Sequence, residues 1–177
     1  MPAVLSVATA RFAVRAARVD DAFAIARVQV DSWRESYRGI LPDPILAAMN
    51  PVVRTAAREA TIKDPSAFNL AAYDVTHGDI VGYANAARSR RHGNRTAELF
   101  EIYLMDRAKR YGLGRELFEL VTEWARAGDM TSLVVWVLEA NHHARHFYEA
   151  MGGVLSGRVR STVRGYPVFE VSYTHEL

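Results

Sequence analysis

No cysteine occurs in this chain. Its absence excludes disulfides, thiolate metal sites and a cysteine nucleophile, and it suits a reducing compartment. Long apolar runs are missing too. The longest clean one, residues 133–138, is far too short to cross a bilayer, so no membrane partner is expected. Residues 1–10 are mildly apolar but lack the basic residues that open a secretory leader. They read as an N-terminal extension to a single domain over residues 11–177, and a cytoplasmic location is expected. Excess charge of one sign is also scarce. A net charge of +2 is too slight to imply nucleic acid. Nearly all the cations are arginine, and they crowd only in residues 88–95, "RSRRHGNR". Without interleaved aromatics this cluster reads as a solvated loop rather than a nucleic-acid surface. No internal repeat, low-complexity tract or linker is present.

Half of the 177 residues are apolar and about a quarter charged, enough for one sizeable core. Residues 11–19 roughly alternate, as a strand does, and end at Asp20-Asp21, a helix N-cap signal. Ala22, Ile25, Ala26, Gln29 and Trp33 then recur at helical spacing. A loop over residues 37–42 precedes a short helix over 44–49, and Pro51 opens another to about residue 62. Residues 69–75, 80–88 and 97–104 form a predicted three-strand meander, with turn residues such as His77-Gly78-Asp79 between strands. Leu113, Leu117, Leu120, Val121 and Trp124 share one face of the next helix, which Gly128 closes. The apolar run 133–138 suits a strand buried on both faces. Asn141 caps a helix through Met151, and residues 154–163 and 168–174 close the chain as a hairpin around residues 164–167. The expected class is α+β, with a parallel element where strand, helix and strand alternate.

The stretch Lys109-Arg110-Tyr111-Gly112-Leu113-Gly114-Arg115 places two glycines one residue apart among three cations. It is not a P-loop, which needs G-x-x-x-x-G-K-[ST]. Nor is it a dinucleotide fingerprint, because Leu117 stands where a third small residue belongs. Two readings stay open on the segment alone. One is a strand-to-helix turn with exposed cations. The other is a cradle whose glycines admit a pyrophosphate against the free N–H groups and positive dipole of a helix start.

The surrounding sequence resembles the GNAT superfamily of acyl-CoA-dependent N-acetyltransferases. In that family a strand leads into a loop of pattern [QR]-x-x-G-x-[GA] and then a helix. Here residues 98–106, "ELFEIYLMD", lead into Lys109-x-x-Gly112-x-Gly114, with lysine in place of the usual glutamine or arginine. Val14-Arg15-Ala16-Ala17 with Asp20-Asp21 is similar to the family's opening strand and cap. Residues 32–42, "SWRESYRGILP", are similar to a stretch common in bacterial members. Residues 141–153, "NHHARHFYEAMGG", match the ending N-x-x-A-x-x-F-Y-E-x-x-G-F, except that Gly153 replaces the aromatic residue. The likeness runs from Val14 to the C-terminus.

The resemblance implies a three-layer fold with a central, mostly antiparallel sheet of about seven strands flanked by helices. It implies acetyl-CoA as co-substrate, held by Tyr103, Leu104, Lys109, Arg110, Tyr111, Gly112, Leu113, Gly114, Arg115, Asn141 and Tyr148. Tyr148 corresponds to the tyrosine that protonates the coenzyme sulfur. Glu98 lies eleven residues before Lys109, the spacing of the glutamate base in histone-type members, with Glu101 or a water chain as the alternative. Strand alternation would put Glu98 and Glu101 on opposite faces. A backbone N–H near Tyr103 or Leu104 would receive the oxyanion. The acceptor pocket implied by resemblance lies between the first two helices and the final hairpin, which nominates Trp33, Tyr37, Arg38 and Tyr166. The acceptor would be a small-molecule or peptide amine, and a homodimer is compatible with the likeness. No metal is expected: His142 and His146 form an i,i+4 pair without a third ligand. The alternative function is a non-catalytic domain that binds or senses acyl-CoA.

Overall fold

The computed structural model describes residues 11–177, so the extension expected over residues 1–10 lies outside the described residues. Alternation in the first segment lasts only through β1 (Phe12–Ala16), after which Val19–Asp21 form a single tight turn. Asp21 does stand at the N-cap of α1 (Ala22–Ser36), but its carboxylate makes no capping bond there. It instead accepts from the Arg15 guanidinium at 2.6 and 2.8 Å and from the Arg18 N–H at 2.7 Å. The expected cap is thus a clasp between β1 and α1.

Pro42 ends the following loop, and α2 (Asp43–Ala47) is a single short stretch. Asn50 caps α3 (Pro51–Lys63) by accepting from the Val52 N–H at 2.9 Å, with Pro51 at the position where a missing N–H costs nothing. The meander follows as β2 (Ala67–Asp74), β3 (Ile80–Arg88) and β4 (Thr96–Leu104). Next come α4 (Leu113–Ala127), β5 (Ser132–Leu138), α5 (His142–Ala150), β6 (Val154–Val163) and β7 (Tyr166–Glu176). Strand β7 starts two residues earlier than the expected 168. The β6–β7 turn is only Arg164 and Gly165, both at positive φ (49° and 83°), the backbone of a tight two-residue hairpin.

The strands form one seven-stranded sheet in the order β1-β2-β3-β4-β5-β7-β6. Every neighbouring pair is antiparallel except β4 with β5, so the expected mixed, mostly antiparallel architecture is what the chain adopts. The main core lies between the sheet and α4 with α5, and includes Leu99, Leu113, Leu117, Val121, Leu133, Val135 and Tyr148. On the opposite face, Ile25 and Val28 of α1 pack on Ala71 and Tyr83, and a smaller cluster joins Tyr37, Leu41, Leu46 and Leu138.

Two irregularities in β4 shape the middle of the sheet. Glu98 pairs with Ala87 and Glu101 with Asn85, so Phe100 is an extra residue, a β-bulge. The parallel pairing with β5 also stops there, running only from Thr96 to Leu99 against Ser132 to Val135. Beyond that point β4 continues to Leu104 and β5 to Leu138 as separate strands. A bulge bends and twists its strand, and here it coincides with a sheet that opens between β4 and β5.

Candidate functional site

The open seam is bordered on one side by the glycine stretch. Gly112 has φ 82°, a left-handed conformation that any side chain would strain, and it serves as N-cap of α4. The first bond of that helix runs from the Glu116 N–H to the Gly112 carbonyl at 3.0 Å. Among the described residues the N–H groups of Leu113, Gly114 and Arg115 therefore have no acceptor, and they point out of the positive end of a fifteen-residue helix. Gly114 lies where α4 touches the other borders of the seam: a Cβ there would sit 3.4 Å from Phe147 of α5 and 3.6 Å from Leu104 of β4. This arrangement fits a pyrophosphate, because three free donors and a dipole meet where the sheet is open.

The cations of the stretch divide. Lys109 turns toward carboxylates, 3.3 Å from Asp106 and 3.7 Å from Glu35, so its charge is locally matched. The same contacts tie this loop to α1 through Glu35. Arg110, at φ 66°, and Arg115 are exposed. Tyr111 is exposed as well, with its ring edge-on to Phe12 at 5.1 Å.

Four polar side chains converge on the seam, two from β4 and α5 and two from the positions just after α1 and just before α5. Tyr37, just after α1, hydrogen-bonds Tyr103 of β4, hydroxyl to hydroxyl, at 3.0 Å. Asn141 caps α5 by accepting from the Ala144 N–H at 3.1 Å, and it also faces the Tyr37 hydroxyl. Tyr148 lies one helical face further along α5, its ring 5.2 Å from Phe147 and 6.4 Å from both Tyr173 and His175. Burial, with Tyr37 as the second contributor, pushes the Tyr148 hydroxyl well above its ordinary pKa. Burial likewise raises Tyr103 and Tyr37, so all three hydroxyls keep their protons at neutral pH. Tyr148 is in the main core and Tyr37 in the cluster across the sheet. Their electrostatic contact runs through the sheet, where β4 and β5 have parted.

The two glutamates do not lie on opposite faces. The Phe100 bulge shifts the alternation by one, so both project toward α1 and α3, as their partners Ala87 and Asn85 require. Their environments differ. Glu101 is bound by both terminal nitrogens of Arg58, one of them 3.3 Å from Oε1, and by the Gln29 amide at 2.9 Å. Burial disfavours the Arg58 charge, but Glu101 beside it more than restores it. Glu98 is 8% exposed and accepts a single hydrogen bond, from Ser89 Oγ at 3.0 Å.

On the expected acceptor side, Trp33 meets Tyr37 edge-on at 5.0 Å and is overlain by Arg54 at 5.8 Å. Its indole N–H is buried and, among the described residues, has no acceptor. Arg38 and Tyr166 do not join this group. Both are exposed, Tyr166 at the start of β7 beside the hairpin turn, and among the described residues neither side chain makes a hydrogen bond or ring contact.

Several residues at the site were not among the sequence candidates: Gln29, Arg58, Ser89, His92 and His175. Arg58 left a trace, since it follows Arg54 by four residues and like charges at that spacing are unfavourable on a bare helix surface. His175 explains the departure at Gly153. A Cβ on Gly153 would lie 2.7 Å from the His175 ring and 2.8 Å from the Tyr148 carbonyl oxygen, so the imidazole fills the space beside the backbone there. His175 also packs on Phe118, at 4.8 Å between ring centroids.

Residues 30–153 match the family model described as the acetyltransferase (GNAT) family. The chain is 33% identical over 130 residues, 72% of each protein, to a Bacillus subtilis protein named uncharacterized N-acetyltransferase YuaI. With match and coverage of this extent, the chain belongs to the GNAT acetyltransferase family. Its fold is shared with the PaiA N-acetyltransferase of Thermoplasma acidophilum, solved in complex with coenzyme A, at a TM-score of 0.72 and 15% identity, over 93% of this chain and 99% of that one. It is shared equally with YncA of Salmonella typhimurium, solved with its cofactor acetyl-CoA, at a TM-score of 0.71 and 18% identity, over 93% of both chains.

Proposed function

We propose that the protein transfers an acetyl group from acetyl-CoA to a primary amine, by direct attack of the amine. The observation that carries this reading is the opened β4–β5 seam, with free helix amides at one end and the Tyr37, Tyr103, Asn141 and Tyr148 side chains around it. Both neighbours named above are described with coenzyme A or acetyl-CoA, which supports the same donor here.

The coenzyme supplies an activated acyl group as a thioester. The N–H groups of Leu113, Gly114 and Arg115 bind its pyrophosphate, with Arg110 and Arg115 adding charge. The unpaired edge of β4 near Tyr103 and Leu104 offers backbone donors to the pantetheine arm and to the developing oxyanion. Tyr148, kept protonated by burial, donates to the departing sulfur. Glu98 takes the proton from the attacking amine through a water. Glu101 is unsuited to that task, because both of its oxygens are engaged by Arg58 and one also by Gln29. Trp33 and Tyr37 wall the acceptor side, which takes a small-molecule or peptide amine.

The test is calorimetry with acetyl-CoA followed by thiol release across a library of amines, from small metabolites to peptide N-termini. Micromolar binding with thiol release for at least one amine class is expected. Failure to bind the coenzyme would overturn both parts of the reading. Tight binding without release for any amine would leave a domain that binds acyl-CoA and does no chemistry.

A further inference from the structure

The basic loop between β3 and β4, with its buried serine, is not used by the reaction as described so far. Ser89 is only 6% exposed, although it lies in a loop otherwise open to water. Its Oγ accepts from the backbone N–H groups of Arg91 and His92, both at 3.2 Å. The same oxygen lies 3.0 Å from Glu98 Oε2 and 3.1 Å from His92 Nδ1. A hydroxyl has two lone pairs and one proton. With the backbone donors on the lone pairs, the proton has two acceptors to choose between: the buried carboxylate and the imidazole. The His92 ring is itself exposed, beside the Trp136 ring of β5 at 6.2 Å. The loop is held in this shape by the Ser89 N–H on the Thr96 carbonyl at 2.8 Å and by Thr96 Oγ1 on the His92 carbonyl at 3.0 Å.

We infer that Glu98, Ser89 and His92 form a relay that returns the amine's proton to solvent. The inference rests on the reading of Glu98 as the base. Once Glu98 has taken the proton, its O–H displaces one of the two long backbone bonds to Ser89 Oγ and donates there, while Ser89 passes its own proton to Nδ1 of His92. The proton on Nε2 of the resulting imidazolium then leaves to water. One proton enters at Glu98 and one leaves at His92, and the carboxylate is regenerated. A base this buried has little direct access to bulk water. The relay lets Glu98 reset while the acetylated product is still bound. Three charged side chains share the loop with His92, namely Arg90, Arg91 and Arg95, and all three are exposed. The Arg88 guanidinium is turned away, onto the Asn94 and Gly128 carbonyls. Trp136 on β5 carries no charge.

His92→Asn keeps a hydrogen-bonding group near Ser89 but cannot carry the proton. In weak buffer its turnover should fall about tenfold, with the KM for acetyl-CoA unchanged, and added imidazole should restore most of the loss. Turnover within twofold of the parent, or a loss that imidazole does not restore, would overturn the relay. A second measurement needs no acceptor. In NMR spectra at fixed pH, Glu98→Gln should move the ring resonances of His92, and that difference should vanish when Ser89→Ala is added. An unchanged His92 ring spectrum overturns the relay whatever the acetylation assay gives. A protein that acetylates no amine, by contrast, overturns the acetyltransferase reading even where His92 responds to Glu98.

Discussion

The two faces of β4 are built in different ways. On the face toward α4 and α5, the proposed coenzyme cradle is a run of adjacent residues: a left-handed Gly112 and the next three amides of one helix. On the face toward α1 and α3, nothing is contiguous. Glu101 meets Gln29 from 72 residues away and Arg58 from 43, and Tyr103 meets Tyr37 from 66. A cradle of backbone amides needs only local geometry and tolerates change in most of its side chains. A cluster of buried side chains needs every partner, because each lost member leaves a buried polar or charged group unsatisfied.

Substitutions can set the two faces against each other. The largest effect expected is for Arg58→Ala, which strands the Glu101 carboxylate and should cost about 3–5 kcal/mol in chemical denaturation. Coenzyme affinity of the folded fraction should stay within about twofold, and a parallel loss of affinity would show that the faces are not separable. Gly153→Ala should cost about 1–3 kcal/mol, since its new methyl must displace the Tyr148 carbonyl or the His175 ring. Adding His175→Ala should recover part of that loss if the imidazole is the obstacle.

Tyr148→Phe tests the residue that bridges the faces. Turnover should fall about tenfold or more while coenzyme affinity is unchanged, and equal turnover would remove Tyr148 as the acid. Gly112→Ala probes the cradle, with a stability loss of about 1 kcal/mol from the left-handed backbone and a weaker hold on acetyl-CoA.

The smallest effect concerns pH. Burial lowers the His175 pKa from its ordinary 6.5, opposed by the Met151 carbonyl. The unfolded chain therefore takes up a proton before the folded one does, as pH falls below that value. This contribution to stability is present above pH 6.5 and is lost as pH falls through the lowered folded value. Replacing His175 with phenylalanine should flatten that part of the stability profile, and an unaltered profile would reject the assignment.

Most of the architecture could be read from periodicity, and strand β3 agrees with expectation to the residue. The turn into α4 was legible because a glycine before an amphipathic helix is a local signal. The Asn141 cap and the helix that follows it were legible because they lie in one contiguous stretch. Glu98 and Glu101 were misplaced relative to each other because alternation assumes an unbroken strand. The bulge at Phe100 arises from register against β3, which no short window of sequence encodes. Arg38 and Tyr166 were nominated by the pocket position that the resemblance implies, and the fold leaves both exposed.

By itself the sequence determined the order of elements, the glycine turn and the family, since each depends on residues near one another in the chain. Tertiary structure alone decided that the sheet opens between β4 and β5 and that Glu101 is paired with Arg58 while Glu98 is tied to Ser89, which in turn meets His92. It also decided that a histidine from the last strand fills the space beside Gly153. These are contacts between remote residues, and their energies exist only once packing has brought the groups together.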